Sequence, residues 1–157
     1  MKIGVIGAGA VGSACLLSLV LRGTAREIVV LDKDRKRAKA VAIDLQYGAS
    51  LSAAVDLRDG DYPDLSGAAL VIITAGMNEK TGGATDRGDR TGRLRLLDAN
   101  LGVYRDILQE LIKFAPEAVI LVVIDPPDAL ADFVRLYGFK NVLSSGMFLD
   151  SDVEMPG

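Results

Sequence analysis

The 157-residue chain is half hydrophobic and one quarter charged, the balance of a globular protein long enough for one domain with its own core. A net charge of −3 argues against a nucleic-acid surface, while a single cysteine, Cys15, excludes an intrachain disulfide and fits a reducing cytoplasm. The absence of histidine removes the commonest metal ligand and the commonest general acid–base, and no metal site is expected.

The chain begins with a short apolar run, Ile3, Val5 and Ile6, as in a strand buried on both faces of a parallel sheet. The turn Gly7-Ala8-Gly9-Ala10-Val11-Gly12 follows and spells G-x-G-x-x-G. In such a turn Gly7 permits the sharp reversal, Gly9 lets backbone approach a pyrophosphate, and Gly12 lets the next helix pack closely on the strand. The first helical N–H groups, at Ala10 and Val11, then face the anion with the positive end of the helix dipole. Cys15 falls inside this helix, where a small buried side chain is expected rather than a reactive thiol.

A second apolar run, Ile28 to Leu31, ends in Asp32, twenty residues after Gly12. A carboxylate there can accept both ribose hydroxyls of the adenosine half of NAD and would repel the 2′-phosphate of NADP. The competing reading is a glycine-rich turn that binds nothing, but strand, turn, helix, strand and acid stand in register. The uncharged stretch from Ile3 to Leu21 also admits a signal peptide or membrane span. Its four glycines are all accounted for by strand-turn-helix punctuation, so that reading is set aside.

Asp34 is the expected N-cap of a helix running to about Tyr47, with Ala38, Val41, Ala42 and Leu45 on one face and Gly48 ending it. Its basic residues read as a solvated face, although Arg37 is placed to reach an adenosine phosphate. Ala53 to Leu57 is a weak third strand, followed by turn signals at Gly60-Asp61 and Tyr62-Pro63, and Tyr62 is a candidate cofactor contact. Ala68 to Thr74 is a strong fourth strand. Met77 to Gly92 is glycine-rich, charged and without apolar period, hence a loop, and loops of that length are commonly functional lids.

From about Arg93 a long helix runs to Ala115, with Leu97, Leu101, Tyr104, Leu108, Leu111, Ile112 and Ala115 as its apolar stripe and Pro116 as its stop. Val119 to Val123 is a fifth strand. Asp125-Pro126-Pro127-Asp128 turns into a helix with Leu130, Phe133, Val134 and Tyr137 inward and Gly138 as cap, and Val142 and Leu143 give a sixth short strand. Strands alternating with helices predict an α/β, doubly wound parallel Rossmann sheet of order 3-2-1-4-5-6. A cofactor would lie across its carboxyl ends, with the Met77–Gly92 loop above.

The chain resembles the NAD-binding half of the L-lactate/malate dehydrogenase family over residues 1 to about 151, leaving 152–157 as a non-family tail. The resemblance rests on the glycine turn, on Ile73-Thr74-Ala75-Gly76 and on Arg93-Leu94 followed by Asn100. It rests further on Asp125-Pro126-Pro127-Asp128, on Gly146 and on Leu149-Asp150-Ser151. It implies hydride transfer between NAD and a 2-hydroxy or 2-oxo acid, with lactate favoured over malate. It also implies catalytic roles for Arg93, which would polarise the substrate carbonyl, and for Asp150, which would orient a histidine.

The implied cofactor contacts are Gly7, Gly9, Ala10, Val11, Gly12, Asp32, Arg37, Tyr62, Thr74, Ala75, Gly76, Met77, Val123 and Asp125. The family generally associates, so a homo-oligomer is expected. Three departures stand out: a longer loop before Arg93, Asp125 in place of the family's asparagine, and Val153 where the family has its substrate-carboxylate arginine. With no histidine, the chain is expected to be a dehydrogenase half that binds cofactor without turning it over. The alternatives are a non-catalytic dinucleotide-binding module or sensor and, disfavoured by Gly12, an S-adenosylmethionine methyltransferase. A cytoplasmic protein with no membrane or nucleic-acid partner is expected throughout.

Overall fold

A parallel sheet covered on both faces demands apolar side chains on both sides of each strand, and the central runs of this chain supply them. The computed structural model describes residues 1–49, 55–78, 80, 82, 85–86, 89 and 91–146. Its strands are β1 (Lys2–Ile6), β2 (Glu27–Leu31), β3 (Asp56–Asp59), β4 (Leu70–Ile73), β5 (Val119–Val122) and β6 (Val142–Ser144). Its helices are α1 (Ala10–Arg22), α2 (Arg35–Ala49), α3 (Gly92–Phe114) and α4 (Pro127–Leu136), with a 3-10 turn at Tyr62–Leu65. All pairings are parallel and the order is β3-β2-β1-β4-β5-β6, the expected doubly wound Rossmann sheet.

Two apolar clusters cover its two faces. One gathers Ile3, Val5, Ile28 and Val30 under Leu16 and Val20 of α1 and Ala38 and Ala42 of α2. The other gathers Ile6, Val29, Val71, Ile73, Ile120 and Val122 under α3 and α4. Alternate residues of each strand go to opposite faces, so a strand such as β1 belongs to both cores.

Several local expectations shift. The third strand is Asp56–Asp59 rather than Ala53 to Leu57, and residues 53 and 54 lie outside the described set. It is an edge strand held by pairing with β2, so only Leu57 needs to be fully buried. Arg58 spends its charge on Glu27 and Asp64 at 3.2 and 3.0 Å. Helix α2 begins after Asp34, whose Oδ1 accepts the Lys36 and Arg37 N–H groups at 3.1 and 3.3 Å, but it runs through Gly48 to Ala49.

In α3 the buried stripe is Leu96, Asn100, Tyr104, Ile107, Leu108 and Leu111, while Ile112 is 46% exposed. The stripe is rotated because α3 packs on the sheet and on α4 together. In α4 the core side chains are Leu130, Ala131 and Val134, whereas Phe133 and Tyr137 are half-buried, their rings tilted 58° to each other with centroids 6.1 Å apart. Gly138, just beyond, takes the positive φ of 122° that ends the helix. Cys15 is half-buried, and burial raises its thiol pKa, so the thiolate is disfavoured.

Tyr104 is fully buried, yet among the described residues its hydroxyl has no hydrogen-bond partner, and burial drives its phenol far above the ordinary value. An unsatisfied buried hydroxyl costs about 1–3 kcal/mol. Tyr104→Phe should therefore raise stability by about 1 kcal/mol, read as an upward shift of the urea midpoint at unchanged m-value. A downward shift would show that the hydroxyl has a partner.

Candidate functional site

The carboxyl ends of the strands are linked by a row of backbone hydrogen bonds that continues past the strands themselves. Gly7 N–H donates to Leu31 O at 2.7 Å, Thr74 N–H to Ile6 O at 2.8 Å and Val123 N–H to Ile73 O at 2.9 Å. The loops that leave β1, β2, β4 and β5 are thereby aligned along one crevice, where ligands bind in open sheets of this kind.

At the glycine turn each glycine has a separate reason. Gly7 has φ +107°, and a Cβ on it would stand 2.7 Å from Ala75 N. A Cβ on Gly12 would overlap the Gly7 carbonyl oxygen and meet Thr74 Oγ1 at 2.8 Å. The Thr74 hydroxyl donates to Gly7 O at 2.9 Å. These contacts lock α1 to the ends of β1 and β4. Gly9 differs: nothing lies within 4 Å of its missing Cβ. It is the N-cap of α1 and supplies no side-chain cap, so the first N–H groups of the helix face outward beside exposed Ala10 and Val11.

Across the turn stands Asp32. Its Oδ2 accepts the Ala8 N–H at 2.7 Å and its Oδ1 accepts the Asp34 N–H at 2.8 Å. Both oxygens are oriented by backbone, and each retains a lone pair for a further donor. On the other side of β1, Asn100 of α3 is fully buried. It accepts the Met77 N–H at 2.7 Å and donates to Met77 O at 3.1 Å and Asp125 O at 3.0 Å. One amide thus ties the loop after β4 to the turn after β5. Asn100 belongs to the family resemblance but not to the residues expected to contact cofactor. The available signal was a polar side chain inside the apolar stripe of α3.

The structure brings Gly7, Gly9, Ala10, Val11, Gly12, Asp32, Thr74, Ala75, Gly76, Met77, Val123 and Asp125 to this edge. Asp125 precedes a cis peptide to Pro126, and its Oδ2 is buried without a hydrogen-bond partner. Arg37 lies exposed in the first turn of α2, on the Asp32 side. Tyr62 is set apart, packed over α3, where burial and the charges of Glu110 and Asp106 raise its phenol pKa.

Arg93 is exposed in the first turn of α3, with no ion pair among the described residues. Its neighbour Arg95 is engaged with Asp89 at 2.5 Å and Thr91 Oγ1 at 2.6 Å. The Thr91 hydroxyl, then Arg95, hold the Asp89 carboxyl well below its usual range. Arg87, Arg90, Asp150 and the 152–157 tail lie outside the described residues, as do several positions of the Met77–Gly92 loop. Among the described residues no group of acids or cysteine could hold a metal, and no helix is long and apolar enough to cross a membrane.

The site's components match those of known proteins. A sequence model of the lactate/malate dehydrogenase NAD binding domain matches residues 1–141. The chain is 41% identical over 154 residues to an L-lactate dehydrogenase of Thermus aquaticus, covering 96% of this chain and 47% of that one. It is 39% identical over 154 residues to an L-lactate dehydrogenase of Chloroherpeton thalassium, covering 96% and 48%. The chain therefore spans about half the length of the curated relatives it matches.

Among solved structures, a minor L-lactate dehydrogenase from Enterococcus mundtii superposes with a TM-score of 0.76 at 28% identity, over 87% of this chain and 41% of that one. A malate dehydrogenase from Archaeoglobus fulgidus in complex with NADH gives 0.75 at 31% identity, over 89% and 46%.

The third and second glycines of the turn should separate fold from binding. Gly12→Ala is expected to cost roughly 2–4 kcal/mol of stability, because the overlap is with backbone. Gly9→Ala should leave the denaturation midpoint nearly unchanged while weakening dinucleotide binding at least several-fold. Equal loss of stability in both would show that Gly9 is a packing residue.

Proposed function

We propose that this chain, which belongs to the lactate/malate dehydrogenase NAD-binding domain family, holds NAD across the carboxyl edge of its sheet as the cofactor half of an L-lactate-type dehydrogenase. The carrying observation is Asp32, fixed by the Ala8 and Asp34 N–H groups beside the open N-terminus of α1. Its carboxylate would receive the adenosine ribose diol, the α1 N–H groups the pyrophosphate, and the open side of Gly9 would admit both. Thr74 to Met77, Val123 and Asp125 would line the other half. The residues present fit the cofactor, whose nicotinamide ring supplies the hydride chemistry when bound.

The reaction proposed for the full-length protein is hydride exchange with a 2-hydroxy or 2-oxo acid, lactate and pyruvate before malate, because the relatives at 39–41% identity are L-lactate dehydrogenases. Arg93 is assigned to the substrate carbonyl because it is exposed at the head of α3 and enters no ion pair among the described residues, whereas Arg95 pairs with Asp89. Asp150 is assigned by resemblance to orienting an acid–base group. Self-association is part of the proposal, supported by Leu136 and Leu143, 87% and 56% exposed on the last helix and the edge strand. A cytoplasmic location is proposed on the single free cysteine.

Calorimetric titration tests the cofactor assignment. NADH should bind more tightly than NADPH, and Asp32→Ala should narrow the gap. Equal affinity in the parent chain would overturn the role of Asp32.

These 157 residues contain no histidine, so the proton donor that carbonyl reduction requires has no ordinary candidate. Loss of general acid–base help alone costs on the order of 10² to 10⁴ in rate. The chain by itself should therefore bind NADH without oxidising it in the presence of pyruvate or oxaloacetate above the buffer rate. Turnover abolished by Arg93→Ala would show that another group donates the proton.

A further inference from the structure

We propose that Asp125 makes this site prefer the oxidised dinucleotide, because its carboxylate places an uncompensated negative charge at the nicotinamide end of the crevice. The inference rests on the NAD reading above. With the adenosine half on the β2 side at Asp32 and the pyrophosphate at α1, the remaining half must run to the other side of β1, over β4 and β5. Asp125 stands there, three residues beyond the end of β5. Its carbonyl is pinned by Asn100, which also holds Met77 after β4, so its backbone position is not free to drift.

Among the described residues no ion pair cancels its charge. Oδ2 is buried and accepts no hydrogen bond, and Asp125 enters no ion pair among the described residues. The segments at 7–12, 74–78, 124–127 and 144–146, which form the rim after β1, β4, β5 and β6, contain no lysine or arginine. The other charge on the same turn is again an acid, Asp128, which accepts the Ser144 hydroxyl. Arg93, exposed at the head of α3, forms an ion pair with neither acid among the described residues.

The nicotinamide ring carries a formal positive charge when oxidised and none when reduced, and the two cofactor forms are otherwise almost alike in shape. A fixed carboxylate in a partly buried crevice is therefore felt by one form and not the other. Asparagine, the residue that the family resemblance places here, has the same shape and no charge.

The test measures the ratio of Kd for NADH to Kd for NAD⁺ by calorimetry at pH 8 and low salt, on the chain and on Asp125→Asn and Asp125→Ser. ADP-ribose, which lacks the nicotinamide, serves as the third ligand, and thermal melts report folding. The ratio should fall about tenfold in both variants, while ADP-ribose affinity stays within about twofold. An unshifted ratio, with all three ligands still binding, overturns the inference and leaves the NAD reading standing. Failure of the parent chain to bind any of the three overturns the NAD reading and this inference with it.

Discussion

Among the described glycines the tightest approach is at the seat of α1 on the end of β1. The Gly7 carbonyl lies where a side chain on Gly12 would have to be, and the Thr74 hydroxyl bonds to that carbonyl at 2.9 Å. The end of β1, the start of α1 and the sequence-distant end of β4 meet there. Because α1 sits so low, its first turn opens directly onto the crevice. Because β4 is tied in through Thr74, the loops on both sides of β1 share one frame. A substituent at Gly12 or Gly7 would lift the helix and detach the anion-binding turn from the acid that accompanies it.

A second tie, Asn100, does for the far half of the crevice what the glycine turn does for the near half. Burying an amide is costly unless its donors and acceptor are all used. Here both N–H groups and the oxygen are used, on Met77 and Asp125. The long helix α3 is thereby made a strut. It begins at Gly92, holds two carboxyl-edge turns with one side chain, and fills the core beneath them with Tyr104, Leu108 and Leu111.

The electrostatics of the edge are unequal along its length. Near β2 a carboxylate is satisfied by two backbone N–H groups, so its charge is partly spent before any ligand arrives. At α1 the exposed helix end offers the opposite sign. Near β5 a second carboxylate has a buried oxygen with no donor among the described residues. Negative, positive, negative is the order met by a ligand laid from β2 to β5. A dinucleotide presents a ribose diol, a pyrophosphate and, when oxidised, a cationic ring in that same order.

Sequence alone determined the alternation of strands and helices, and with it the strand order, because short apolar runs and glycine punctuation are local signals that admit few topologies. It also determined the glycine turn and Asp32, since their spacing is set by the length of one strand-helix-strand unit. The tertiary structure decided what depends on neighbours. The pairing of β3 with β2 moved that strand to Asp56–Asp59, where only one residue needed to be apolar. Packing of α3 against both sheet and α4 turned its stripe toward Leu96 and Ile107 and left Ile112 outside. The pairing of Arg95 with Asp89 separated it from Arg93, which the spacing to Asn100 had singled out only by resemblance. Tyr62 lies close to the β3 turn in sequence, yet the 3-10 turn carries it over α3, away from the edge where Asp32 stands. Contacts between residues far apart in the chain made each of these choices, and a linear pattern holds no record of them.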